Sequence, residues 1–288
     1  MDKFWDYIKF AKKHGINRIF HLLCCFGFGG SIRYVNCISR LKEGKADKTD
    51  LIELRYKGIP FSVRDNYTDL YLVQSILEGE KSERGEYRGE YYYVEKAMLS
   101  IHEKSPIIID AGANIGLFSI KILSLFPFAR IKAYEVENEN FVILSKNVSK
   151  LGVECNCRGV WYKTCCLKII DRGTGAWGFR VEETDDDNTE SVKSVSISDI
   201  IAQCDTEITL FKLDVEGSEY FIFKQESLDW VKKCKMVVIE THDNIIEGSD
   251  KIVNDVFEKI KYKKCVYGEN QLFIRPDVYD KISEEMSI

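Results

Sequence analysis

The sequence predicts an α/β protein built on a doubly wound, mostly parallel sheet of seven strands, a Rossmann-like arrangement. Three observations predict this fold class. From residue 106 onward, short apolar segments alternate with helical segments, which is the pattern of repeated βα units. A glycine-containing loop at 110–116 follows the first of these apolar segments. Near the C-terminus, two strand-like segments are joined across Gly268, Glu269 and Asn270, which predicts a closing antiparallel hairpin.

The chain divides into three parts by composition. Residues 1–49 form an N-terminal helical extension rich in lysine, arginine and aromatic residues. Residues 50–105 form a hairpin and helices that lead into the main domain, and residues 106–288 form the sheet domain. A chain of 288 residues is long enough for one large domain with such an extension.

In the extension, Phe4, Trp5 and Ile8 recur at helical spacing and predict a short amphipathic helix. Packing on the protein itself is the default for such a helix, and a second copy in a homodimer or an anionic membrane surface are the alternatives. The apolar run 19–28 that follows is shorter than the roughly 20 residues of a membrane span. We therefore expect no transmembrane segment, and at most peripheral membrane contact through residues 1–45.

The second part contains alternating and helical patterns. Apolar residues at 52–56 and 60–64 flank Lys57 and Gly58, which predicts a hairpin. We predict helices at 68–78 and 92–101 and, between them, a polar, tyrosine-rich and mobile loop at 79–93.

The third part alternates between strand-like and helical segments. We predict strands at 107–110, 131–135, 153–157, 208–214 and 236–241, helices at 116–126, 139–151, from 218 and at 249–260, and a closing hairpin of 264–267 with 271–274.

The composition argues against several functions. The net charge is −5, whereas a nucleic-acid binder usually carries a basic excess that neutralises phosphates, so we expect no nucleic-acid partner. The ten cysteines form no spaced doublets and only four histidines are present, so we expect no zinc site. Small buried thiols in a reducing compartment are the simpler interpretation, which makes a cytoplasmic location our expectation.

The segment Asp-Ala-Gly-Ala-Asn-Ile-Gly at 110–116 lies where a doubly wound sheet binds a nucleotide-like ligand. Gly112 would permit a tight turn and close ligand approach, and Gly116 would permit close packing of the next helix. A dinucleotide loop reads Gly-x-Gly-x-x-Gly and exposes its amides to a pyrophosphate. Here the spacing differs and Asp110 precedes the loop, which suits a cationic amino acid or sulfonium, so the loop favours S-adenosylmethionine over NAD.

Glu135 lies 19 residues after Gly116, at the end of the second predicted strand. An acid about 20 residues past such a loop accepts hydrogen bonds from ribose hydroxyls. The alternative is a surface acid at a helix N-terminus, where Glu137 and Glu139 would serve equally well. We favour Glu135 as the ribose ligand.

Three segments resemble the FkbM family of methyltransferases that use S-adenosylmethionine. Residues 109–116 follow its Asp-x-Gly-Ala-Asn-Ile-Gly loop, residues 134–141 are similar to its Phe-Glu-Pro-x-Pro-x-Asn-Phe segment, and residues 211–219 are close to its Lys-Ile-Asp-Val-Glu-Gly-Ala-Glu motif. Residues 63–69 and 238–240 match more weakly, and residues 1–45 lie outside the resemblance. One departure is that Val136 and Asn138 replace the usual prolines.

The resemblance implies the class I methyltransferase form of the sheet, in which an antiparallel hairpin strand closes one edge. It implies S-adenosylmethionine as cofactor and a hydroxyl acceptor on a sugar, glycolipid, glycan or polyketide-like secondary metabolite, methylated on oxygen. We expect the cofactor contacts at Asp110, Gly112, Ala113, Asn114, Gly116, Glu135, Val136, Trp161 and Asp214.

His242 is the leading candidate for a catalytic base, because it follows an apolar strand and an unperturbed imidazole titrates near neutrality. Asp214 and Glu216 follow the neighbouring predicted strand. They could orient the acceptor, act as base or bind a divalent cation, although Glu216 and Glu219 could instead cap the next helix. We expect His242, Asp214 and Glu216 to be catalytic residues, we expect no metal, and we expect Glu240 to be a hydrogen-bonding support.

Two loops are candidates for covering the acceptor. The glycine-rich stretch 173–178 carries Trp177, which could stack on a sugar, and the tyrosine-rich loop 87–93 could join it. The acidic run 182–187 predicts a solvated loop, because like charges in a row repel and stay hydrated.

Three alternative functions were weighed. An NAD-dependent oxidoreductase conflicts with the glycine spacing and lacks a Tyr-x-x-x-Lys pair. A methyltransferase acting on base amino groups would carry Asn/Asp-Pro-Pro-aromatic where residues 214–217 read Asp-Val-Glu-Gly. A non-catalytic S-adenosylmethionine-binding protein is disfavoured, because the glycine, ribose and Asp-Val-Glu-Gly segments are all intact.

Overall fold

The computed structural model describes residues 10, 13–45, 51–83, 86–170, 179–185, 191–224 and 228–286. The helices, in chain order, are α1 Ile16–Lys42, α2 Tyr67–Leu72, α3 Tyr92–Ile101, α4 Leu117–Leu125, α5 Asn138–Val148, α6 Ile197–Ala202, α7 Ser218–Lys224, α8 Ser249–Lys259 and α9 Pro276–Met286. The strands are β1 Leu51–Tyr56, β2 Ile59–Arg64, β3 Glu80–Lys81, β4 Tyr87–Arg88, β5 Ile107–Ala111, β6 Arg130–Glu135, β7 Glu154–Cys157, β8 Gly159–Trp161, β9 Cys166–Ile170, β10 Arg180–Thr184, β11 Ser191–Ser196, β12 Ile208–Leu213, β13 Cys234–Glu240, β14 Lys263–Tyr267 and β15 Asn270–Ile274. A π-helical segment, Val73–Glu78, continues α2, and 3₁₀ turns lie at Ser149–Leu151 and Asp229–Lys233.

Seven strands form the central sheet in the order β14-β15-β13-β12-β5-β6-β7. All neighbours are parallel except β15, which pairs antiparallel with both β13 and β14. The strand order reverses between β12 and β5, which creates the crevice where doubly wound sheets bind ligands. The predicted fold class, including the closing hairpin, is confirmed.

The sheet separates two hydrophobic cores. Along β5, Ile108 belongs to one core, whereas Ile107 and Ile109 belong to the other. Side chains that alternate along a strand point to opposite faces, so both faces are covered by packed elements. The first core is continuous with α1 and the β1–β2 hairpin. The segment before residue 106 therefore shares a core with the sheet domain.

A second sheet, of order β10-β9-β11-β8, lies after β7 and was not predicted. The predicted solvated acidic loop is wrong in part, because Glu182 and Glu183 lie in β10. Glu183 accepts hydrogen bonds from Trp161 and Tyr162 and pairs with Lys163 at 2.7 Å, so its charge is compensated. The glycine-rich stretch with Trp177 lies outside the described residues, as do residues 186 and 187.

The tyrosine-rich segment at 79–93 is also more ordered than predicted. Its described part forms the two-stranded ladder of β3 and β4 rather than a mobile loop. The turn into this ladder depends on Gly79 (φ 76°), because a Cβ there would lie 2.6 Å from the Arg88 backbone carbon. Tyr87 stacks on His21 of α1, with ring centroids 3.9 Å apart.

Helix α1 is longer than the apolar run suggested. It has 27 residues and is interrupted at Gly27 (φ 67°, ψ 176°). By length and composition it could cross a membrane, and 39% of its most apolar window is buried inside the described structure. The length argument against a membrane span was therefore wrong, and the absence of a span stays a prediction. The earlier helix predicted around Phe4, Trp5 and Ile8 lies outside the described residues.

Polar contacts attach α1 to the π-helical segment. The buried carboxylate of Glu78 accepts hydrogen bonds from Arg18 at 2.7 Å and from Tyr34 at 2.9 Å. His21 donates to the Glu78 carbonyl at 2.6 Å. These three contacts hold one face of α1 against the body of the protein.

The β1–β2 hairpin is joined to the sheet domain by Asn147 of α5. Its side-chain oxygen accepts from Ser62 N at 2.7 Å, and its amide donates to Ser62 O at 3.0 Å and to Ile115 O at 2.8 Å. Because Ile115 belongs to the glycine-containing loop, one buried amide ties the hairpin, α5 and the loop together.

We predict that Asn147→Ala lowers the free energy of unfolding by roughly 2–4 kcal/mol, because it leaves buried backbone groups of Ser62 and Ile115 without partners. Denaturant unfolding measures this change. Asn156→Ala is the matched control, since the Asn156 amide makes only long contacts of 3.4–3.5 Å. Equal losses for the two variants would contradict the proposed role of Asn147.

Candidate active site

A cavity of about 760 Å³ opens at the carboxyl ends of the central strands, at the reversal of strand order. One side of it is formed by the loop after β5 and by the end of β6, and the other by residues that follow β12 and β13. The predicted site residues that line it are Gly112, Ala113, Asn114, Glu135, Val136, Asp214, Glu216 and His242. This volume lies within the range of small-molecule sites, about 300–1,000 Å³.

Gly112 is required by a close approach of two backbones. Its φ is 78°, and a Cβ at this position would lie 1.7 Å from the Asp214 carbonyl oxygen. The loop amides are used internally: Gly112 N and Ala113 N donate to Tyr134 O, and Gly116 N donates to Ala113 O. A pyrophosphate needs such amides as donors, so this loop is unsuited to a dinucleotide.

Glu135 lies at the end of β6 with its carboxylate toward the loop. It accepts hydrogen bonds from Asn114 N at 2.7 Å and from Glu137 N at 2.8 Å. Burial raises the pKa of Glu135 to about 7, although these two backbone hydrogen bonds oppose the rise. Each carboxylate oxygen keeps a further lone pair, so the side chain can still accept from a ligand hydroxyl.

Asp110 does not line the cavity, which corrects the prediction that it meets the ligand. It is completely buried beneath the loop, accepts from Ser119 Oγ at 2.7 Å and pairs with Lys212 at 3.5 Å. Lys212 also donates to Gly112 O at 2.8 Å and approaches Asp214 at 3.3 Å. Asp110 therefore positions the lysine that connects the loop to Asp214.

Two further predicted cofactor contacts lie away from the cavity. The Trp161 side chain packs against Phe221, with ring centroids 4.9 Å apart, and donates to Glu183 at 3.0 Å, while its neighbour Val160 lines the cavity instead. Gly116 faces α5, where a Cβ would lie 2.9 Å from Leu144. It is a packing residue against a helix, and the residues beside it line the cavity.

His242 lies among four carboxylates. Its Nδ1 donates to Glu219 Oε1 at 3.1 Å. Its Nε2 is 3.6 Å from Glu216, 3.7 Å from Glu240 and 3.9 Å from Asp214. Glu219 accepts in addition from Val215 N at 2.9 Å and Gly217 N at 2.8 Å, which fixes its carboxylate under the imidazole.

His242 was expected to act as a base because an unperturbed imidazole titrates near neutrality, and this environment shifts that titration. Burial disfavours the charged imidazole, but the hydrogen bond and charge of Glu219 and the charges of Asp214 and Glu216 outweigh it and raise the pKa of His242 to about 10. An imidazole with this pKa carries its proton at pH 7 and cannot accept another. Burial and the charge of Asp214 raise the pKa of Glu240 as well.

Several residues in or around the site were not assigned a role from the sequence. Lys212 and Glu219 were within a recognised motif, but their roles depend on strand neighbours that a motif does not show. Asn140 accepts from Arg64 at 2.7 Å, and Arg64 pairs with Asp69 at 2.9 Å. The weak upstream match at 63–69 was the signal for this connection.

Tyrosines of α2 contribute the outer part of the cavity. Tyr67 and Tyr71 line it and remain largely solvent-exposed, with ring centroids 6.0 Å apart and ring planes at 28° to each other. Leu72 and Ile76 continue this wall. The predicted cover by Trp177 lies outside the described residues.

Comparisons with known proteins agree with this geometry. A family profile described as Methyltransferase FkbM domain matches residues 110–267, which is more than half of the chain. The chain is 44% identical over 45 residues to methyltransferase sdnD of Sordaria araneosa, a match that covers 16% of this chain and 17% of that protein.

Two solved methyltransferase structures align with part of this chain. An rRNA methylase from Streptococcus thermophilus aligns with 65% of this chain and 96% of its own, at 9% identity and a TM-score of 0.40. A precorrin-6y C5,15-methyltransferase from Geobacter metallireducens GS-15 aligns with 68% of this chain and 92% of its own, at 12% identity and a TM-score of 0.37.

We predict that Gly112→Ala lowers the free energy of unfolding by about 3–5 kcal/mol, because the added methyl group would overlap the Asp214 carbonyl. Thermal and denaturant unfolding measure the loss. Gly152→Ala is the matched control: Gly152 has a similar φ of 85°, but no atom lies within 4 Å of its Cβ position. The control should lose only the roughly 1–2 kcal/mol of left-handed backbone strain.

Proposed function

The chain belongs to the FkbM family of methyltransferases, and on that premise we propose that it transfers a methyl group from S-adenosylmethionine to a hydroxyl of a sugar, glycolipid, glycan or related secondary metabolite. One observation carries the proposal. Glu135, the acid expected to bind ribose, and the loop after β5 line one side of a cavity. The carboxylates of Asp214, Glu216 and Glu240 and the imidazole of His242 line the other side of the same cavity. A donor and an acceptor can therefore meet inside it.

The cofactor side is formed by β5 and β6. Glu135 would accept hydrogen bonds from the ribose hydroxyls of S-adenosylmethionine. Val136, Ala113 and Asn114 would contact its adenosine group. Because the loop amides already donate within the protein, this side favours a ligand without phosphates. Asp214 would face the methionine end, next to the acceptor side.

The spacing of the strands suits an in-line transfer. Asp214 follows β12 and Glu135 ends β6, and these strands are separated only by β5. Neighbouring strands lie about 4.8 Å apart, so the ends of these two strands are roughly 10 Å apart across the sheet edge. A cofactor that spans this distance would present its sulfonium methyl group to the acceptor side.

Methylation of a hydroxyl releases one proton as the new carbon–oxygen bond forms and the carbon–sulfur bond breaks. We assign acceptance of that proton to Asp214, because it lines the cavity and His242 is already protonated. His242 would instead donate a hydrogen bond to the acceptor through Nε2. Glu216 would orient the acceptor from the same loop.

The outer wall supports a hydroxylated acceptor with apolar faces. Tyr67 and Tyr71 offer two exposed rings at the cavity, and Glu90 and Glu269 add carboxylates that can bind hydroxyls. Sugar rings combine such hydroxyls with apolar C–H faces that pack on aromatic rings. A cytoplasmic location belongs to the same proposal, and it is supported by the ten cysteines, all of which lie in the described part of the chain as free thiols.

We predict that S-adenosylmethionine binds about 10-fold more weakly at pH 6 than at pH 8. Ribose hydroxyls donate to the ionised carboxylate of Glu135, and its pKa of about 7 means that lower pH protonates it before binding. Affinity should therefore rise with pH and level off above about 8. Calorimetric titration with S-adenosylmethionine, S-adenosylhomocysteine and NAD measures the dependence.

Matched variants identify the group responsible. Glu135→Gln should bind weakly at every pH with no dependence between pH 6 and 8, whereas Glu139→Gln, an exposed acid on α5, should behave like the wild type. Binding of NAD in place of S-adenosylmethionine would refute the cofactor assignment. A pH dependence that survives in Glu135→Gln would refute the role of this carboxylate.

Methyl transfer can be tested with labelled S-adenosylmethionine and a panel of hydroxylated sugars and glycosides. We expect labelled ether products, and we expect Asp214→Asn to lower kcat by 100-fold or more while S-adenosylmethionine binding falls less than 10-fold. Asp243→Asn, an exposed acid near His242 in sequence, should retain wild-type turnover. Products methylated on nitrogen or carbon would contradict the assignment of a hydroxyl acceptor.

A further inference from the structure

The His242 ring presents one nitrogen to three carboxylates without a hydrogen bond to any of them. The side chain is only 9% exposed, and the nearest oxygens of Glu216, Glu240 and Asp214 lie 3.6, 3.7 and 3.9 Å from Nε2. These separations exceed those of a hydrogen bond between a nitrogen and an oxygen, about 2.7–3.2 Å. The nitrogen is thus buried, aimed into the cluster and held at a distance from its neighbours.

Glu219 determines how this nitrogen is presented. It is fully buried, two backbone amides fix its carboxylate, and it accepts from His242 Nδ1 at 3.1 Å. A carboxylate that holds one ring nitrogen in this way leaves the lone pair of the other nitrogen for a metal ion, the arrangement found around metal-ligating histidines. Here that lone pair would face Asp214, Glu216 and Glu240.

Within the described part of the chain, Lys212 pairs with Asp214 at 3.3 Å, whereas Glu240 pairs with no lysine or arginine. The other contacts of the Lys212 side chain are Gly112 O and Asp110. Glu216 and Glu240 converge on the same point from the ends of different strands. Three carboxylates and an imidazole nitrogen that face one another form a donor set that a cation would satisfy.

We propose that Asp214, Glu240 and His242 bind a divalent cation, with Glu216 beside them as a further oxygen ligand. One ligand atom from each of the first three lies within 4.8 Å of the others. In an octahedral site with bonds of about 2.1–2.3 Å, ligand atoms lie roughly 3.0–4.6 Å apart. The observed distances of 3.6–3.9 Å from Nε2 fall within this range, so small side-chain rotations suffice.

The ligand types favour a particular class of cation. Carboxylates suit Mg²⁺ and Mn²⁺, and an imidazole shifts the preference toward Mn²⁺. On the acceptor side of the cavity, such a cation would bind the acceptor hydroxyl oxygen and stabilise the alkoxide as its proton leaves. In the metal-loaded protein this bond would replace the hydrogen bond from His242 Nε2, because that nitrogen gives up its proton when it binds the cation. This role rests on the proposed function, whereas cation binding itself does not.

The test uses the full-length protein after removal of metals with EDTA, titrated with Mn²⁺ alone. Electron paramagnetic resonance should show one Mn²⁺ bound per chain, with a nitrogen coupling from the imidazole in the pulsed spectrum. Both signals should be lost in His242→Gln. Glu240→Gln should retain the nitrogen coupling but weaken binding 10-fold or more, and Mg²⁺ should displace Mn²⁺ from the wild type.

His102→Gln is the matched control, because His102 also pairs with a glutamate, Glu285, but on the exposed surface. It should bind Mn²⁺ as the wild type does. Circular dichroism and melting curves check that each variant is folded, and Glu240→Gln keeps the test decisive if His242→Gln fails to fold. No Mn²⁺ binding up to millimolar concentration, or binding without nitrogen coupling, would overturn the proposal.

A titration with S-adenosylmethionine on the same EDTA-treated samples separates this inference from the proposed function. Cofactor binding without Mn²⁺ binding would refute the cation site and leave the proposed function standing. Mn²⁺ binding with its nitrogen coupling, but no S-adenosylmethionine binding, would support the cation site and refute the proposed cofactor.

Discussion

The contact between the loop after β5 and the chain leaving β12 is the constraint on which the rest of the site depends. Asp214 N donates to Ala111 O at 3.1 Å, and the Asp214 carbonyl occupies the space that a side chain on Gly112 would need. Lys212 of β12 joins the same two segments, because its side chain donates a hydrogen bond to Gly112 O. Since one segment is the glycine-containing loop and the other carries Asp214, Glu216 and Glu219, this contact sets the distance between the two sides of the cavity.

Much of the fold could be predicted because its signals are local. The βα alternation, the glycine loop, the acid at the end of β6 and the closing hairpin each occupy a short stretch of sequence, and the structure places them as predicted. The four-stranded sheet could not be predicted, because β10 and β11 are largely polar and the acidic residues of β10 resemble those of a solvated loop. Glu183, for example, is compensated by Trp161 and Lys163, which precede it in the chain by about 20 residues.

The candidate site was predicted in position more than in chemistry. Asp214, Glu216 and His242 do meet, as their places after two neighbouring strands imply. The number of carboxylates around the imidazole depends on the fold and is not visible in the sequence. These carboxylates raise the pKa of His242, so the imidazole is protonated at pH 7, whereas a base would have to be neutral. Asp110 and Trp161 were wrongly expected to contact the ligand. Residues close to each of them in the sequence line the cavity, but their own side chains are buried in the protein.

The outer wall of the cavity comes from α2 and the π-helical segment, which precede the stretch matched by the family profile. Glu78 anchors this wall to α1, so the N-terminal helix supports the outer part of the cavity. The outer wall and the carboxylates around His242 thereby come from separate stretches of the chain. Exchange of the first hundred residues between relatives would replace most of the outer wall and leave the loop after β5 and the carboxylates around His242 intact.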